Sequence, residues 1–348
     1  MADGLRSDGR FTTQGPVCSP AALSRTLLAA SLALSPAACR GPQSALDPAG
    51  RGADRIAALF TVMAVGAAVV WLAMVALTVY AVRVRAAPRG ERRTALFILG
   101  GGALVPTAVL TALLVYGLAL LPELVAPAPA GSLRVAVTGE QWWWRVRYPT
   151  ADGRTIELAN EVHLPLGQAA DLRLDSADVI HSFWIPSLGG KLDMFPGRAS
   201  RLALWPTRAG RYRGVCAEYC GASHALMAFA VVVETRAALD RWLARQAEPA
   251  RPPSSPLATR GAALFLADGC GACHAVRGTP AAGTIGPDLT HVGSRHGLGA
   301  ATLPNDASTF ARWITRPESL KPGVHMPAFG MLPTADVRAL AAYLEALQ

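Results

Sequence analysis

One short segment of this chain brings together the residue types that hold soft metal ions. Cys216-Ala217-Glu218-Tyr219-Cys220-Gly221-Ala222-Ser223-His224-Ala225-Leu226-Met227 reads C-x-E-x-C-x3-H-x2-M, and a further histidine, His181, lies in a separate segment. Thiolates favour copper, imidazole suits it, and a thioether gives a long, weak bond. Two cysteines four apart on one loop can bridge two metal ions through both sulfurs. His181 and His224 would then each cap one copper, with Met227 the weak ligand on one and the Glu218 main-chain carbonyl its counterpart on the other. An electron shared between two bridged coppers spreads the change in charge and lowers reorganisation, which suits a relay rather than bond-making chemistry. Spacing alone leaves other readings open. Zinc would use the Cys and His but has no need of the methionine. A single blue copper needs only one cysteine, and a Cys216–Cys220 disulfide is the plain reading for an exported domain.

A second cluster, Cys270-Gly271-Ala272-Cys273-His274, is C-x-x-C-H, the attachment motif for c-type haem. Cys270 and Cys273 would bond the porphyrin and His274 would bind the iron. A thioredoxin-like dithiol is the alternative, but no βαβ pattern surrounds these residues. His/Met ligation raises the potential of a haem, so a downstream methionine is expected as the sixth ligand. Met326, in Gly323-Val324-His325-Met326-Pro327, is preferred over Met331. His291, His296 and His325 read as surface or packing histidines.

The surrounding elements must place these groups. Of 348 residues 51% are hydrophobic and only 16% charged, which points to a membrane portion. The net charge of +9 comes without the basic and aromatic interleaving of a nucleic-acid surface. Residues 56–82 and 94–121 are uncharged apolar runs, each long enough to cross a bilayer as a helix. The connection between them carries Arg83, Arg85, Arg89, Arg92 and Arg93 against Glu91. Positive charge marks the cytoplasmic side, so everything after residue 121 is predicted to be periplasmic. Residues 1–39 read as an N-terminal extension with an export signal over 25–39. The small residues before Cys39 resemble a lipoprotein cleavage site, with Pro36 out of pattern. Residues 132–235 show strand-like alternation and predict a cupredoxin-type β-sandwich, followed by a short helix over 236–247. A Pro-rich stretch, 248–256, predicts a flexible linker, and 257–348 a small all-α domain. The predicted fold class is a two-helix transmembrane hairpin, an all-β cupredoxin sandwich and an all-α c-type cytochrome domain.

Three blocks, in order, resemble subunit II of haem-copper cytochrome c oxidases, over about Ile56 to Arg245. Besides the copper loop they are Gly139-Glu140-Gln141-Trp142-Trp143-Trp144 and Val179-Ile180-His181-Ser182-Phe183-Trp184-Ile185-Pro186-Ser187-Leu188-Gly189, the latter continued by Lys191-Leu192-Asp193-Met194-Phe195-Pro196-Gly197-Arg198. The resemblance implies a two-copper centre, two anchoring helices and assembly against a catalytic subunit I, with subunit III, that reduces oxygen to water and translocates protons. It implies that Trp142 is where electrons arrive from cytochrome c, while Trp143 or Trp144 packs the sandwich. It implies that the Glu218 side chain binds magnesium at the subunit I interface. Pro287 resembles the proline that packs beside the haem histidine. The resemblance extends to oxidases whose subunit II carries a fused cytochrome c. Electrons would come from cytochrome c or a quinol–cytochrome c reductase, enter the haem, pass Trp142 and reach the copper pair. A flexible tether would hold the haem at an effective concentration in about the millimolar range. The chain is expected to be a multi-pass protein of the bacterial inner membrane, with its N-terminus and both C-terminal domains in the periplasm. One departure is that Leu99-Gly100-Gly101-Gly102-Ala103-Leu104-Val105, before Pro106, lacks the acid that serves proton uptake in many members.

Overall fold

The computed structural model describes residues 40–84, 90–150 and 153–348. The export signal, Cys18, Cys39, Arg85 and Arg89 lie outside the described residues.

Two helices long and apolar enough to cross a membrane come first. Helix α1 (Arg51–Arg83) has 33 residues, about 50 Å at 1.5 Å per residue, against about 30 Å of hydrocarbon. The second continuous helix runs through α2 (Glu91–Leu99), a π-helical turn (Gly100–Leu104) and α3 (Val105–Leu124). Both helices are longer than the apolar runs within them, because polar residues such as Asp54, Arg55 and Glu91 occupy their ends. The widened turn falls just before Pro106. Proline has no N–H to return to the preceding turn, and the three glycines absorb the altered dihedrals at low steric cost. Arg55 Nε and Glu123 Oε2 are paired at 2.9 Å, which ties the start of α1 to the end of α3.

The chain just before α1 is bonded into the β-domain. Ala49 N donates to Ser187 O at 2.7 Å, Thr207 N donates to Ala49 O at 2.7 Å, and Arg51 N donates to Trp205 O at 3.0 Å. The first membrane helix therefore starts from a fixed point on that domain.

Ten strands make the β-domain: β1 (Leu133–Glu140), β2 (Trp143–Pro149), β3 (Thr155–Ala159), β4 (Glu161–Pro165), β5 (Ala170–Ser176), β6 (His181–Trp184), β7 (Leu192–Met194), β8 (Ser200–Leu204), β9 (Gly210–Cys216) and β10 (Ala228–Glu234). They form two five-stranded sheets, ordered β3-β2-β1-β5-β8 and β4-β10-β9-β6-β7. Alternate residues such as Val135, Val137, Leu172 and Leu174 point inward and are buried. Trp144 sits edge-on to Phe183 and Phe229 at 5.7 and 5.1 Å between ring centroids, a geometry aromatic rings favour. This aromatic cluster lies directly beneath the copper-loop candidates. Helix α4 (Arg236–Ala247) closes the domain, its N-terminus capped by the Thr235 hydroxyl accepting from Ala238 N.

The C-terminal domain contains α5 (Pro256–Ala267), α6 (Ala307–Thr315), α7 (Pro317–Leu320) and α8 (Thr334–Ala346), joined by long loops. Ser255 and Asp306 cap α5 and α6. Phe265 and Tyr343 meet edge-on at 5.6 Å where α5 crosses α8, inside a core separate from that of the sandwich.

The stretch expected to be a flexible linker is held against the C-terminal domain. Ala250 N donates to Arg277 O at 2.8 Å, and His291 Nε2 donates to Glu248 O at 3.0 Å. Fixed contacts replace the loose tether because loop 275–306 presents donors and acceptors to the linker backbone, which prolines cannot use up internally. Arg145 Nη2 donates to Thr284 O at 3.0 Å, and Arg213 Nη1 donates to Ala301 O at 3.1 Å. These bonds join the two domains directly.

A buried cluster adds to that junction. His163 lies between two carboxylates, with Nε2 2.9 Å from Glu161 Oε1 and Nδ1 2.7 Å from Glu234 Oε1, and stacks on Trp242 at 3.5 Å. Both ring nitrogens are thereby occupied. The second oxygen of Glu161 accepts the main-chain N–H of His296, from the C-terminal domain, at 3.0 Å. Burial pushes the Glu161 carboxyl up, but the His163 hydrogen bond and the neighbouring positive charge more than offset it and hold the group below its ordinary value. A carboxyl depressed on folding contributes stability above its unfolded pKa, about 4.3, and loses it as the pH falls through the lowered folded value. The thermal midpoint of the chain in detergent should therefore drop on acidification below the ordinary carboxylate range. Glu161→Gln should flatten that part of the profile, and an unchanged profile would remove Glu161 from the linkage.

Candidate metal and haem centres

The copper-loop residues come from two strands and the turn between β9 and β10. In the β6–β9 ladder Phe183 lies opposite Cys216. This register carries His181, two residues earlier on β6, to the open end of the loop that leaves Cys216. The loop is closed by Cys216 N donating to Met227 O at 2.9 Å, and Ala217 N donates to Ser182 O at 2.9 Å. A sequence separation of 35 residues between His181 and Cys216 is thus bridged by backbone pairing.

Six donor atoms converge there. The Cys216 and Cys220 sulfurs are 3.8 Å apart and unbonded. Cys216 Sγ lies 3.8 Å from His181 Nδ1 and 3.2 Å from Glu218 O. Cys220 Sγ lies 3.5 Å from His224 Nδ1 and 3.7 Å from Met227 Sδ. His181, both cysteines and Met227 are buried. His181 Nε2 faces Asp178 Oδ1 at 2.8 Å, so the carboxylate fixes the proton on Nε2 and leaves Nδ1 free to ligate. The hydrogen bond shared by the two sulfurs draws the Cys216 thiol far below its ordinary range and pushes that of Cys220 up. The first thiolate therefore forms readily, as a metal ligand must. For His181, burial works against protonation, but the contacts with Cys216 and Asp178 raise its pKa. Two thiols, two imidazoles, a thioether and a carbonyl in one buried cluster fit a pair of copper ions. Four sulfur and nitrogen donors would already complete a zinc site, and this cluster holds more.

The Glu218 side chain turns the other way. It is about half-exposed, with Oε2 3.7 Å from Lys191 Nζ, which in turn reaches Asp193 Oδ1 at 3.1 Å. Trp144 is a core residue, whereas Trp143 is half-buried, with the Arg145 guanidinium over its ring at 4.7 Å from the centroid.

Trp142 stands between the two domains and is 6% exposed. Its Nε1 donates to Cys220 O at 3.0 Å, and Gln141 Nε2 donates to the same carbonyl at 2.7 Å. Segment 321–325 of the C-terminal domain covers the ring. Ser223 Oγ, in the copper loop, donates to Pro322 O at 2.6 Å. Lys321 Nζ donates to Trp142 O at 2.6 Å, Leu226 O at 3.0 Å and Gly299 O at 3.2 Å. Burial pushes the Lys321 ammonium down to about 7, with the nearby Cys220 charge working the other way. Three carbonyl acceptors match the three hydrogens of the ammonium, whereas the neutral amine would leave one carbonyl without a donor. Lys321 belongs to no sequence motif, and only its place five residues before Met326 could have drawn notice to it.

In the C-terminal domain Cys270 and Cys273 flank a single 3-10 turn (Cys270–Ala272), and both thiols are free and half-buried. His274 Nδ1 donates to Pro287 O at 2.8 Å, leaving Nε2 for iron. Burial lowers the His274 pKa and favours the neutral ring that ligation needs. Gly286 packs closely on this histidine, and its neighbour Ile285 is 73% exposed, an apolar side chain of the kind a haem would cover. These residues fit a covalently attached haem. Met326 is half-buried and Met331 is 78% exposed. The His325 ring lies 6.3 Å from that of Trp142. His291 and His296 make the packing contacts described above.

Residues 149–235 match the family described as cytochrome C oxidase subunit II, periplasmic domain, and residues 258–348 match that described as cytochrome c. Among curated proteins, the chain is similar to cytochrome c oxidase subunit 2 of Alkalihalophilus pseudofirmus, with 37% identity over 214 residues, 62% of this chain and 61% of that protein. It is similar to the protein of the same name from Bacillus subtilis, with 33% identity over 227 residues, 62% of this chain and 63% of that protein. The chain thus spans less than two thirds of the length of these relatives. Among solved structures, the periplasmic domain of subunit II of cytochrome oxidase from Bradyrhizobium japonicum is similar at 29% identity, covering 34% of this chain and 96% of that one, with a TM-score of 0.32.

Proposed function

We propose that this chain, which joins a cytochrome c oxidase subunit II domain to a cytochrome c domain, is the electron-receiving subunit of a membrane haem-copper oxidase. The observation that carries this reading is the position of Trp142. Its ring lies against the C-terminal domain while its N–H is bonded to the carbonyl of Cys220. A copper pair held by His181, Cys216, Glu218 O, Cys220, His224 and Met227, and a haem held by Cys270, Cys273, His274 and Met326, would supply two one-electron carriers. Trp142 would connect them. The buried donors, above all His181, favour a permanent centre over a copper-delivery site, which must release its ion.

The Arg-rich connection between the membrane helices favours a cytoplasmic turn, with both redox domains in the periplasm. Cytochrome c or a quinol–cytochrome c reductase would donate to the haem domain. The copper loop would then pass electrons to subunit I, where oxygen is reduced to water with proton translocation. The half-exposed Glu218 carboxylate suits a magnesium ion shared with that partner.

Flash reduction of the haem in the purified complex tests the relay. Copper should be reduced next, at a rate independent of protein concentration, and a concentration-dependent rate would count against it. Met326→Leu should remove the spectroscopic signature of methionine-ligated haem and lower its potential, whereas Met331→Leu should leave both unchanged. The reverse result would transfer the ligand role to Met331.

A further inference from the structure

We propose that Lys321 is the positioning residue that locks the haem domain over Trp142, and that the locked domain closes this face of the copper domain to any separate donor protein. The inference rests on the reading of Trp142 as the point where electrons reach the copper loop.

Lys321 follows α7 and opens the loop that leads to Met326. Its side chain crosses into the copper domain and is 3% exposed. Two of its three acceptors, the carbonyls of Trp142 and Leu226, belong to that domain, and the third, Gly299 O, to its own. Among the described residues no carboxylate pairs with it. A buried ammonium is tolerated only when its hydrogens find acceptors. Here they find them in a single relative placement of the two domains. Attraction between full charges would act over many orientations, whereas three carbonyls select one.

The selected placement puts backbone on the indole. Gly323 has φ of +78°, and a Cβ there would lie 2.6 Å from Trp142 Cη2 and 2.8 Å from Cζ3. A glycine is needed both for that backbone conformation and for the close approach. The Ser223–Pro322 bond holds the same segment on the copper loop. With segment 321–325 seated there, a second protein has no path to the ring. External electrons then reach copper only after passing through this chain's own haem domain.

The test uses the full chain carrying both copper and haem, as wild type, Lys321→Met and Gly323→Ala. Methionine keeps the length of the lysine stem but leaves the carbonyls without a donor. The glycine variant opens the contact by collision while Lys321 is untouched. Amide hydrogen exchange over 140–145 and 222–227 reads docking directly, and the copper and haem spectra show that both centres remain loaded. Protection should fall about 10- to 100-fold in Lys321→Met, as expected for stranded buried carbonyls, and should also fall in Gly323→Ala. In wild type, reduced soluble cytochrome c should always reduce haem before copper. In both variants a direct copper phase should appear, and the concentration-independent haem-to-copper phase should lose amplitude. Both variants keeping wild-type protection and reduction order would overturn the latch. A wild-type chain showing no haem-to-copper transfer would instead overturn the relay, and the exchange data would still decide whether Lys321 positions the domain.

Discussion

Cys220→Ser is expected to abolish the copper-pair spectrum, cut bound copper from two ions per chain to at most one, and leave the haem spectrum intact. The Cys220 sulfur is the hub of the site, within 3.8 Å of Cys216 Sγ, 3.5 Å of His224 Nδ1 and 3.7 Å of Met227 Sδ. A serine hydroxyl at this position is a hard donor that stays protonated near neutral pH and does not bridge two soft ions. With one of the two sulfurs gone, Cys216 alone would have to join the ions capped by His181 and His224. Oxidase activity of the assembled complex should fall to background, because the haem domain would have no acceptor. Met227→Leu sets the scale from the other side. A long axial thioether tunes the potential more than it holds the metal, so this variant should keep both coppers and shift the potential. Metal analysis with visible and near-infrared spectra separates the outcomes. Two coppers and an unaltered near-infrared band in Cys220→Ser would mean that the sulfurs do not bridge.

The residues proposed as copper and haem ligands stand out in the sequence because that chemistry restricts residue type and spacing. Cys216, Cys220, His224 and Met227 lie within one turn of chain, and C-x-x-C-H is compact. His181 was harder, since only pairing of β6 with β9 carries it to the loop, and the resemblance of its flanking block supplied what periodicity could not. The junction between domains was not legible. Lys321 is a single lysine in a loop, and its meaning depends on carbonyls 179, 95 and 22 residues away. Glu161 and His163 read as ordinary members of a strand until the fold sets Glu234, Trp242 and His296 around them. Residues 248–256 have the composition of a linker. Composition reports what a segment lacks for making its own structure, not which surface will accept its backbone groups. The same holds at Gly100–Leu104, where the sequence showed an uncharged glycine-rich stretch before a proline but not the π turn that forms there.

Trp142→Phe is expected to slow haem-to-copper transfer by more than about tenfold, equivalent to about 1.4 kcal/mol of barrier, with both spectra unchanged. The substitution separates three roles that Trp142 combines. Its main-chain carbonyl accepts from Lys321, and any residue supplies that carbonyl, so docking should persist. Its ring fills the space against Gly323, which phenylalanine fills in part. Its Nε1–H bonds the carbonyl of Cys220, a proposed copper ligand, and phenylalanine has no such hydrogen. Gln141→Ala is the matched control, because Gln141 Nε2 bonds the same Cys220 carbonyl but carries no ring toward the haem domain. If the bonded indole connects the two centres, Gln141→Ala should transfer electrons at nearly the wild-type rate while Trp142→Phe is slow. If instead the carbonyl merely needs a donor to hold the loop in shape, the two variants should be equally slow and both should perturb the copper spectrum. A wild-type rate in Trp142→Phe would leave the ring as packing alone and move the electron path to the Ser223–Pro322 contact, a hydrogen bond between the copper loop and the segment before Met326.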